Sequence, residues 1–369
     1  MRMVLVAGAR PNFMKVAPVL WEAERRGIRV TLLHSGQHYD HNMSDVFFED
    51  LGIRPPDINL GVGSGTQAEQ TAAVMVEFEK VVAGTDVDLL TVVGDVNSTV
   101  ACSLVAAKLG IRVAHVEAGL RSRDWDMPEE INRVVTDRLS DFLFAPSADG
   151  AENLRAEGYR EDQIHLVGNV MVDTLLANLD RARERGVLGK VGVDPRGYGL
   201  VTMHRPSNVD DPAVFGSIVD ALNSVAEELP LVFPMHPRTR PMLERVAFHP
   251  QIRVIDPAGY LDFIALQAEA RLVLTDSGGV QEETTMLGVP CLTLRENTER
   301  PITVTEGSNR VVGTDPARIV AAAKDALAYD GEYPRPALWD GAAARRIVDV
   351  LLDGPLTARP RPTDITPDR

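Results

Sequence analysis

The feature that most constrains this chain is the alternation of short apolar runs, typical of β-strands, with longer amphipathic segments, typical of helices. One series of runs extends from Met3–Ala7 to Phe142–Ala145 and a second from His165–Val167 to Cys291–Leu294. Strands separated by helices form parallel sheets with helices on both faces. Two such series predict an α/β fold with two Rossmann-like, doubly wound domains.

The boundary between the two domains is expected near Gly168, after the strand that ends at Val167. With 369 residues the chain is too long for one compact core. We predict a first domain over residues 1–168, closed by a helix returning at 340–353, and a second domain over residues 169–339. Residues 186–199 are expected to form a loop, and residues 354–369, with four prolines, a loose tail.

The charge and cysteine content limit the classes of partner. A net charge of −15 argues against nucleic acid, whose binding needs a basic face, although it allows a nucleotide in a local cationic site. Cys102 and Cys291 are far apart, which fits a reducing cytoplasm and no metal site. The opening apolar run is too short for a signal peptide, and no membrane segment is expected.

Candidate functional residues of the first domain follow its strands, where open α/β sheets bind ligands. The segment Gly8–Lys15 combines a glycine turn with two cations, Arg10 and Lys15, and leads into a helix whose N-terminus favours an anion. Asp95 and Glu117 each follow directly after a predicted strand. These positions predict an acidic and cationic site at one edge of the sheet.

Ordinary structural roles are open for the same acids. Asp95 stands where a helix N-cap is expected, and Glu117 is placed for a salt bridge with Arg121 or another nearby arginine. Glu129 and Arg133 are four residues apart at the start of a predicted helix, as in a surface ion pair. Spacing alone does not decide between these roles and catalysis.

The second domain carries a phosphate-binding pattern. Ser277–Gly279 follow a strand and open a helix, so unobstructed backbone N–H groups are available to a phosphate. Glu283, further along that helix, is suited to accept both hydroxyls of a ribose. His204 and His236 end two neighbouring strands, and Arg295–Pro301 follow another. The Gly8–Lys15 segment of the first domain is neither a Walker loop nor a dinucleotide fingerprint, so ATP and NAD are not indicated.

Together these motifs identify a resemblance that runs from Arg2 to about Leu352. The chain resembles the non-hydrolysing bacterial UDP-N-acetylglucosamine 2-epimerases. The family's motifs occur in order as G-A-R-P…K, G-Q-H, G-D-V-N, H-V-E-A-G-L-R, P-E-E-I-N-R, T-M-H-R, D-S-G-G-V-Q-E-E, T-E-R-P and G-A-A-A-R-R-I. Nine motifs in register are far more specific than any one of them.

The resemblance implies a glycosyltransferase GT-B arrangement of the two domains, with the active site in the interdomain cleft, and commonly a homodimer. It implies anti elimination of UDP to 2-acetamidoglucal followed by re-addition, with no redox cofactor and no metal. It assigns catalysis to Asp95, Glu117, Glu129, Arg133 and His204. The substrate-binding positions that it implies are Arg10, Lys15, Ser277, Gly278, Gly279, Glu283 and Arg300.

The resemblance also implies a candidate allosteric site at Gln37, His38 and His236, and here the sequence departs from the family pattern. It reads Tyr39–Met43 where many members have Arg-Glu-Met-Leu, and Pro206–Asn208 where many have Arg-Glu. Other functions stay open: a hydrolysing epimerase releasing ManNAc and UDP, an epimerase of another 2-acetamido UDP-sugar, a GT-B glycosyltransferase, or a non-catalytic sensor of nucleotide sugars.

Overall fold

The computed structural model describes residues 1–8, 12–36 and 48–353, which form two compact units. The first comprises Met1–Thr174 together with the segment from Asp340, and the second comprises Leu175–Trp339. The division falls inside an unbroken helix, Val170–Glu184, whereas the sequence predicts it at Gly168. The boundary between the two units therefore lies within a helix and not in a loop.

The first unit contains a seven-stranded sheet in the order β3-β2-β1-β4-β5-β6-β7, and the second a six-stranded sheet in the order β10-β9-β8-β11-β12-β13. Every pair of neighbouring strands is parallel. The strands are β1 Arg2–Ala7, β2 Arg29–His34, β3 Ile58–Asn59, β4 Leu89–Val93, β5 Arg112–Val116, β6 Phe142–Ala145, β7 Ile164–Leu166, β8 Gly199–Thr202, β9 Leu231–Pro234, β10 Ile252–Ile255, β11 Leu272–Thr275, β12 Cys291–Thr293 and β13 Asn309–Val311.

The helices alternate with the strands along the chain. They are α1 Phe13–Arg25, α2 Gln67–Val82, α3 Asn97–Lys108, α4 Pro128–Leu139, α5 Ala148–Ala156, α6 Val170–Glu184, α7 Val187–Val191, α8 Pro206–Val209, α9 Pro212–Ala226, α10 Tyr260–Ala268, α11 Gly278–Leu287, α12 Ile302–Thr305, α13 Pro316–Ala328 and α14 Ala343–Asp353. This alternation with two parallel sheets confirms the predicted α/β class of two doubly wound sheets.

Burial explains why the central strands read as continuous apolar runs. All five residues of β4 are buried, because helices cover both faces of a parallel sheet. In the first unit Val92, Val113 and Phe78 belong to one apolar cluster. In the second unit Phe215 and Leu274 belong to another. Each sheet is thus a rigid base for the loops at its carboxyl edge.

Three short elements differ from the sequence expectation. The strands β3 and β13 were not predicted, since two or three residues are too few for a recognisable apolar run. The stretch 186–199, expected to be a loop, contains helix α7 between Gly186 and Gly192, both in the left-handed conformation. Glycine tolerates that conformation, so the two glycines delimit a helix rather than prevent one.

The returning helix α14 belongs to the first unit. Its N-terminal backbone N–H groups, at Ala343 and Ala344, donate to the buried carboxylate of Asp173 at 3.1 and 2.7 Å. Arg26, directly after α1, pairs with Asp349 of α14 at 2.6 Å. Across the described ranges, no helix combines the length and apolarity that crossing a membrane requires.

Candidate active site and nucleotide site

In each sheet the first strand in sequence lies next to the fourth, so the connections leave in opposite directions at that point. This is β1 beside β4 in the first unit and β8 beside β11 in the second. Such a switch point opens a crevice at the carboxyl ends of the strands, where doubly wound folds bind ligands. The predicted site residues divide between these two places.

Glu117 lies at the end of β5 and is paired with Lys15 of α1. The Lys15 Nζ to Glu117 Oε2 distance is 2.5 Å, and the side chains are 12% and 3% exposed. The second carboxylate oxygen, Oε1, is buried without a hydrogen-bond partner among the described residues. The suggested pairing with Arg121 is wrong, because Arg121 binds Asp137 and Glu157.

The backbone of Glu117 is in the left-handed region, with φ of +73°. A non-glycine residue in a sparsely populated region costs about 1–3 kcal/mol, and such residues cluster at functional sites. The Glu117 N–H donates to the carbonyl of Phe144 at 3.1 Å, which fixes the turn. The carboxylate is therefore held where it is by tertiary structure at a local energetic cost.

Asp95, after β4, is oriented by Arg133 of α4. Arg133 Nε and Nη2 lie 3.0 and 2.6 Å from Asp95 Oδ2. The Asp95 side chain stays 21% exposed. The N-cap role is wrong, because the cap residue of α3 is Val96 and it makes no side-chain capping bond.

Arg133 pairs with Glu130 rather than with Glu129, so the suggested Glu129–Arg133 ion pair is wrong. Arg133 Nη1 lies 2.7 Å from Glu130 Oε2, three residues earlier on the helix. Glu130 also accepts the backbone N–H groups of Ser122 and Arg123, both at 2.9 Å. Burial opposes its ionisation, but these bonds and Arg133 outweigh burial and lower the pKa of Glu130.

Glu129 is different from its neighbour. It lies in the first turn of α4, directly after Pro128, and is partly exposed. Within the described part of the chain, its carboxylate has no hydrogen bond or ion pair. Of the three predicted acids in this unit, Glu129 therefore has the most freedom to reorient.

In the second unit, Asp276 follows β11 and organises the switch point. It is fully buried and accepts from the backbone N–H groups of His204 and Arg205, at 3.0 and 2.9 Å, and from Asn208 Nδ2 at 3.2 Å. Its Oδ1 lies 3.0 Å from His204 Nδ1. Burial opposes ionisation, yet His204 and the backbone donors lower the pKa of Asp276.

His204 is the exposed member of this group, with 38% of its side chain accessible. The contact with Asp276 fixes its ring, as carboxylates commonly fix the orientation of functional histidines. The ring centroids of His204 and His236 are 5.5 Å apart. His204 and the candidate allosteric residue His236 are therefore neighbours.

Helix α11 begins at Gly278 directly after Ser277, whose side chain makes no capping bond. The first N–H groups of a helix have no intrahelical acceptor and suit an anion. A Cβ built on Gly278 would lie 2.4 Å from Arg300 Nη1 and 2.7 Å from Glu299 Oε1. The lack of a side chain at this position is therefore a packing requirement.

Arg300, predicted to bind substrate, is itself held by two buried carboxylates. Its Nε lies 2.8 Å from Glu282 Oε1 and its Nη1 lies 2.6 Å from Glu299 Oε1. The side chain is 6% exposed. The guanidinium thus packs against the start of α11 beside Gly278, with its charge balanced by the two carboxylates.

Glu283, the proposed ribose ligand, is buried within α11. Burial raises the pKa of Glu283 to about 8, and the charge of Glu282 adds to this, while the nearby polar side chains of Gln267 and Tyr260 act against it. The Tyr260 hydroxyl lies 3.4 Å from Glu283 Oε1. A carboxyl that is costly to ionise alone is well placed to gain from hydroxyl donors of a ligand.

Three predicted residues lie outside the described residues: Arg10, Gln37 and His38. Sequence reasoning assigned no role to Asp276 or Glu130, although each organises its site. For Asp276 the available signal was its position between a strand and a glycine turn. For Glu130 it was the pair of acids directly after Pro128. In the described ranges, no group of three His, Cys, Asp or Glu side chains has an arrangement able to hold a metal.

Comparison with known proteins matches residues 22–352 to the family described as UDP-N-acetylglucosamine 2-epimerase. The UDP-N-acetylglucosamine 2-epimerase of Methanocaldococcus jannaschii is 42% identical over 366 residues, covering 96% of this chain and 100% of that protein. The UDP-2,3-diacetamido-2,3-dideoxy-D-glucuronate 2-epimerase of Pseudomonas aeruginosa is 42% identical over 356 residues, covering 95% and 99%. The crystal structure of the M. jannaschii enzyme with UDP-GlcNAc and UDP matches with a TM-score of 0.89 and 41% identity, covering 96% and 100%.

Proposed function

We propose that this chain, which belongs to the UDP-N-acetylglucosamine 2-epimerase family, interconverts UDP-N-acetylglucosamine and UDP-N-acetylmannosamine by inverting C2 of the sugar. The observation that carries the proposal is the set of carboxylates at the switch point of the first sheet. Glu117 is held by Lys15 and Asp95 by Arg133, in a chain similar over its length to enzymes of this activity.

The proposed reaction has two balanced steps. A carboxylate takes the C2 proton while the C1–O bond breaks, so the C–H electrons form a C1=C2 double bond and UDP leaves with the bonding pair. A proton is then returned to the opposite face of C2, and a UDP oxygen bonds again to C1. The two faces of C2 need separate proton carriers, which Asp95, Glu117 and Glu129 supply.

The second unit is proposed to hold the nucleotide. The N–H groups of Gly278 and Gly279 at the start of α11, with the side chain of Ser277 before it, suit the diphosphate, and Glu283 suits the ribose hydroxyls. Lys15, Arg10 and Arg300 are proposed to stabilise the charge that grows on departing UDP, together with His204.

A deuterium-exchange experiment tests the proposal. The chain is incubated with UDP-N-acetylglucosamine in D₂O, and the C2 position is followed by ¹H NMR. We expect deuterium at C2 and the appearance of UDP-N-acetylmannosamine. The absence of both contradicts the proposal.

The Pseudomonas aeruginosa relative supports a second candidate, because it is named for a diacetamido UDP-glucuronate and is as similar in sequence. Parallel assays with both sugars distinguish the two substrates by their kcat/KM ratio. Free ManNAc in the products would identify a hydrolysing epimerase. Sugar transfer only in the presence of an acceptor would identify a glycosyltransferase, and binding without turnover a sensor.

We also propose a homodimer. Helix α4 exposes Ile131 and Val135, one turn apart, at 45% and 38%, and Trp125 before it is 64% exposed. Exposed apolar side chains grouped on one element suggest a contact surface. Light scattering of the Ile131→Glu, Val135→Glu variant tests this: a shift to monomer is expected, and an unchanged mass contradicts the use of this surface.

A cytoplasmic location is proposed on the basis of the two unpaired cysteines, Cys102 and Cys291, both buried. Activation by a second UDP-N-acetylglucosamine, involving Gln37, His38 and His236, remains a separate proposal. Initial rates measured from UDP-N-acetylmannosamine, with and without trace UDP-N-acetylglucosamine, test it. Equal rates contradict activation.

A further inference from the structure

His115 was singled out by the sequence only as the first residue of the motif that contains Glu117. It lies in β5, 1% exposed, with Val92 of β4 and Leu143 of β6 as its register partners. A polar ring in the middle of a buried sheet needs partners for both nitrogens. The identity of those partners determines what the ring can do.

Both ring nitrogens of His115 face hydrogen-bond acceptors. Nδ1 lies 2.6 Å from Asp137 Oδ1, and Nε2 lies 2.8 Å from the carbonyl oxygen of Gly94. A carbonyl oxygen can only accept, and a neutral imidazole has one N–H. If the His115 ring carried a single N–H, its other nitrogen would direct a lone pair at an acceptor. This holds for both tautomers, unless Asp137 itself carried a proton.

Asp137 is held in its ionised form by its other partners. Its Oδ2 accepts from Gly119 N at 3.1 Å and lies 2.7 Å from Arg121 Nη2. Both donors favour the ionised form of Asp137. The proton between Asp137 and the imidazole ring therefore belongs to His115, and Glu157 balances Arg121 from the other side.

The three groups in contact belong to the three elements that carry the proposed catalytic acids. Gly94 directly precedes Asp95, His115 is two residues before Glu117, and Asp137 lies on α4, whose first turn contains Glu129. Gly94 has φ of +72°, and its N–H donates to the carbonyl of Val116 at 3.0 Å. The turn before Asp95 is thus fastened to β5 from both its N–H and its carbonyl.

We infer that His115, as a doubly protonated imidazolium between Asp137 and the Gly94 carbonyl, is a positioning residue that fixes the mutual placement of Asp95, Glu117 and Glu129. This role rests on the proposed function for its catalytic consequence. It does not require His115 to contact substrate. A displacement of about 1 Å in such a constellation can cost about 10²-fold in rate.

Two neutral substitutions separate the two bonds of the ring. The amide nitrogen of Asn occupies the position of Nδ1, so His115→Asn keeps the bond to Asp137 and loses the bond to Gly94. The amide nitrogen of Gln reaches the position of Nε2, so His115→Gln keeps the bond to Gly94. We expect kcat to fall about 10²-fold in His115→Asn and clearly less in His115→Gln, with KM within about threefold in both.

His165 supplies the matched control, since it lies in the same sheet and packs on Phe144, with ring centroids 5.6 Å apart. His165→Asn and His165→Gln are expected to leave kcat unchanged. Equal losses of kcat in the two His115 variants, in proportion to their loss of thermal stability, would reduce His115 to a packing role and overturn the inference.

A spectroscopic measurement on the unaltered chain covers the case in which the variants do not fold. With ¹⁵N-labelled histidine, both ring nitrogens of His115 are expected to show a directly bonded proton at pH 7. A single protonated nitrogen at pH 7 overturns the inference. Two protonated nitrogens in a protein that exchanges no deuterium at C2 would leave the ring assignment intact and reject the proposed function instead.

Discussion

The switch points of the two sheets share a strand arrangement but differ in how they hold charge. At the first switch point the buried carboxylates Glu117 and Glu130 are each next to a cation, Lys15 and Arg133. The second unit also has buried charge pairs, around Asp276 and Arg300. Its candidate phosphate site, however, is a helix N-terminus, and Glu283 is buried beside another carboxylate, Glu282.

The difference shows that topology sets the place of a site, whereas the side chains after each strand set its chemistry. Paired carboxylates stay ionised and fixed in position, which suits proton transfer at a defined carbon. A helix N-terminus supplies positive potential without a titratable group, which suits a phosphate.

Removing one acid of the first unit should abolish most catalysis and leave nucleotide binding intact. Asp95→Asn, Glu117→Gln or Glu129→Gln is expected to lower kcat about 10²–10⁴-fold, because each removes a proton carrier. The measurement is deuterium incorporation at C2, with UDP affinity by calorimetry. Glu79→Gln, on an exposed face of α2, is the control. Activity within a few-fold of wild type would remove that residue from the mechanism.

Breaking the Lys15–Glu117 pair should destabilise the first unit. Lys15→Met leaves a carboxylate that is 3% exposed without its cation, and such a loss costs about 3–5 kcal/mol. Urea unfolding measures it, with the exposed pair Lys80–Glu77 as the control through Lys80→Met. Adding Glu117→Gln should recover part of the stability. No recovery in the double variant would mean that the pair is not coupled.

Obstructing the start of α11 should weaken UDP binding without touching the first unit. In Gly278→Ala the new Cβ would lie 2.4 Å from Arg300 Nη1, and Arg300 is held by two carboxylates. We expect UDP affinity to fall about tenfold, equivalent to about 1.4 kcal/mol. Gly216→Ala, in open space on α9, is the control. Equal affinities for both variants contradict an anion site at this helix.

The buried acid of the second unit should make stability depend on pH. The pKa of Glu283 is raised to about 8, so its contribution is fully present below its unfolded value and is lost as the pH rises through 8. Between pH 5 and 9 the wild type should lose at least about 1 kcal/mol relative to Glu283→Gln. Urea unfolding at several pH values measures this. Parallel curves for the two proteins contradict it.

Local sequence patterns predicted much of this molecule. The apolar runs at β4 and β11 and the helical periods between strands predicted the two sheets. The acids that follow the strands indicated Asp95 and Glu117 as candidate residues. These are short-range signals, because strand burial and helix amphipathicity are written in neighbouring residues. The nine motifs in order indicated the family, which the comparisons confirm.

What the sequence could not give is the pairing of charges. Spacing favoured Glu117 with Arg121 and Glu129 with Arg133, but the fold pairs Glu117 with Lys15 and Arg133 with Asp95 and Glu130. Likewise no local sequence pattern indicates that His115 contacts both Gly94 and Asp137. The sequence was sufficient for most of the helices and strands, for their order and for the candidate residues. Only the tertiary structure decided which charges meet, because the partners are brought together from distant segments by the packing of parallel strands.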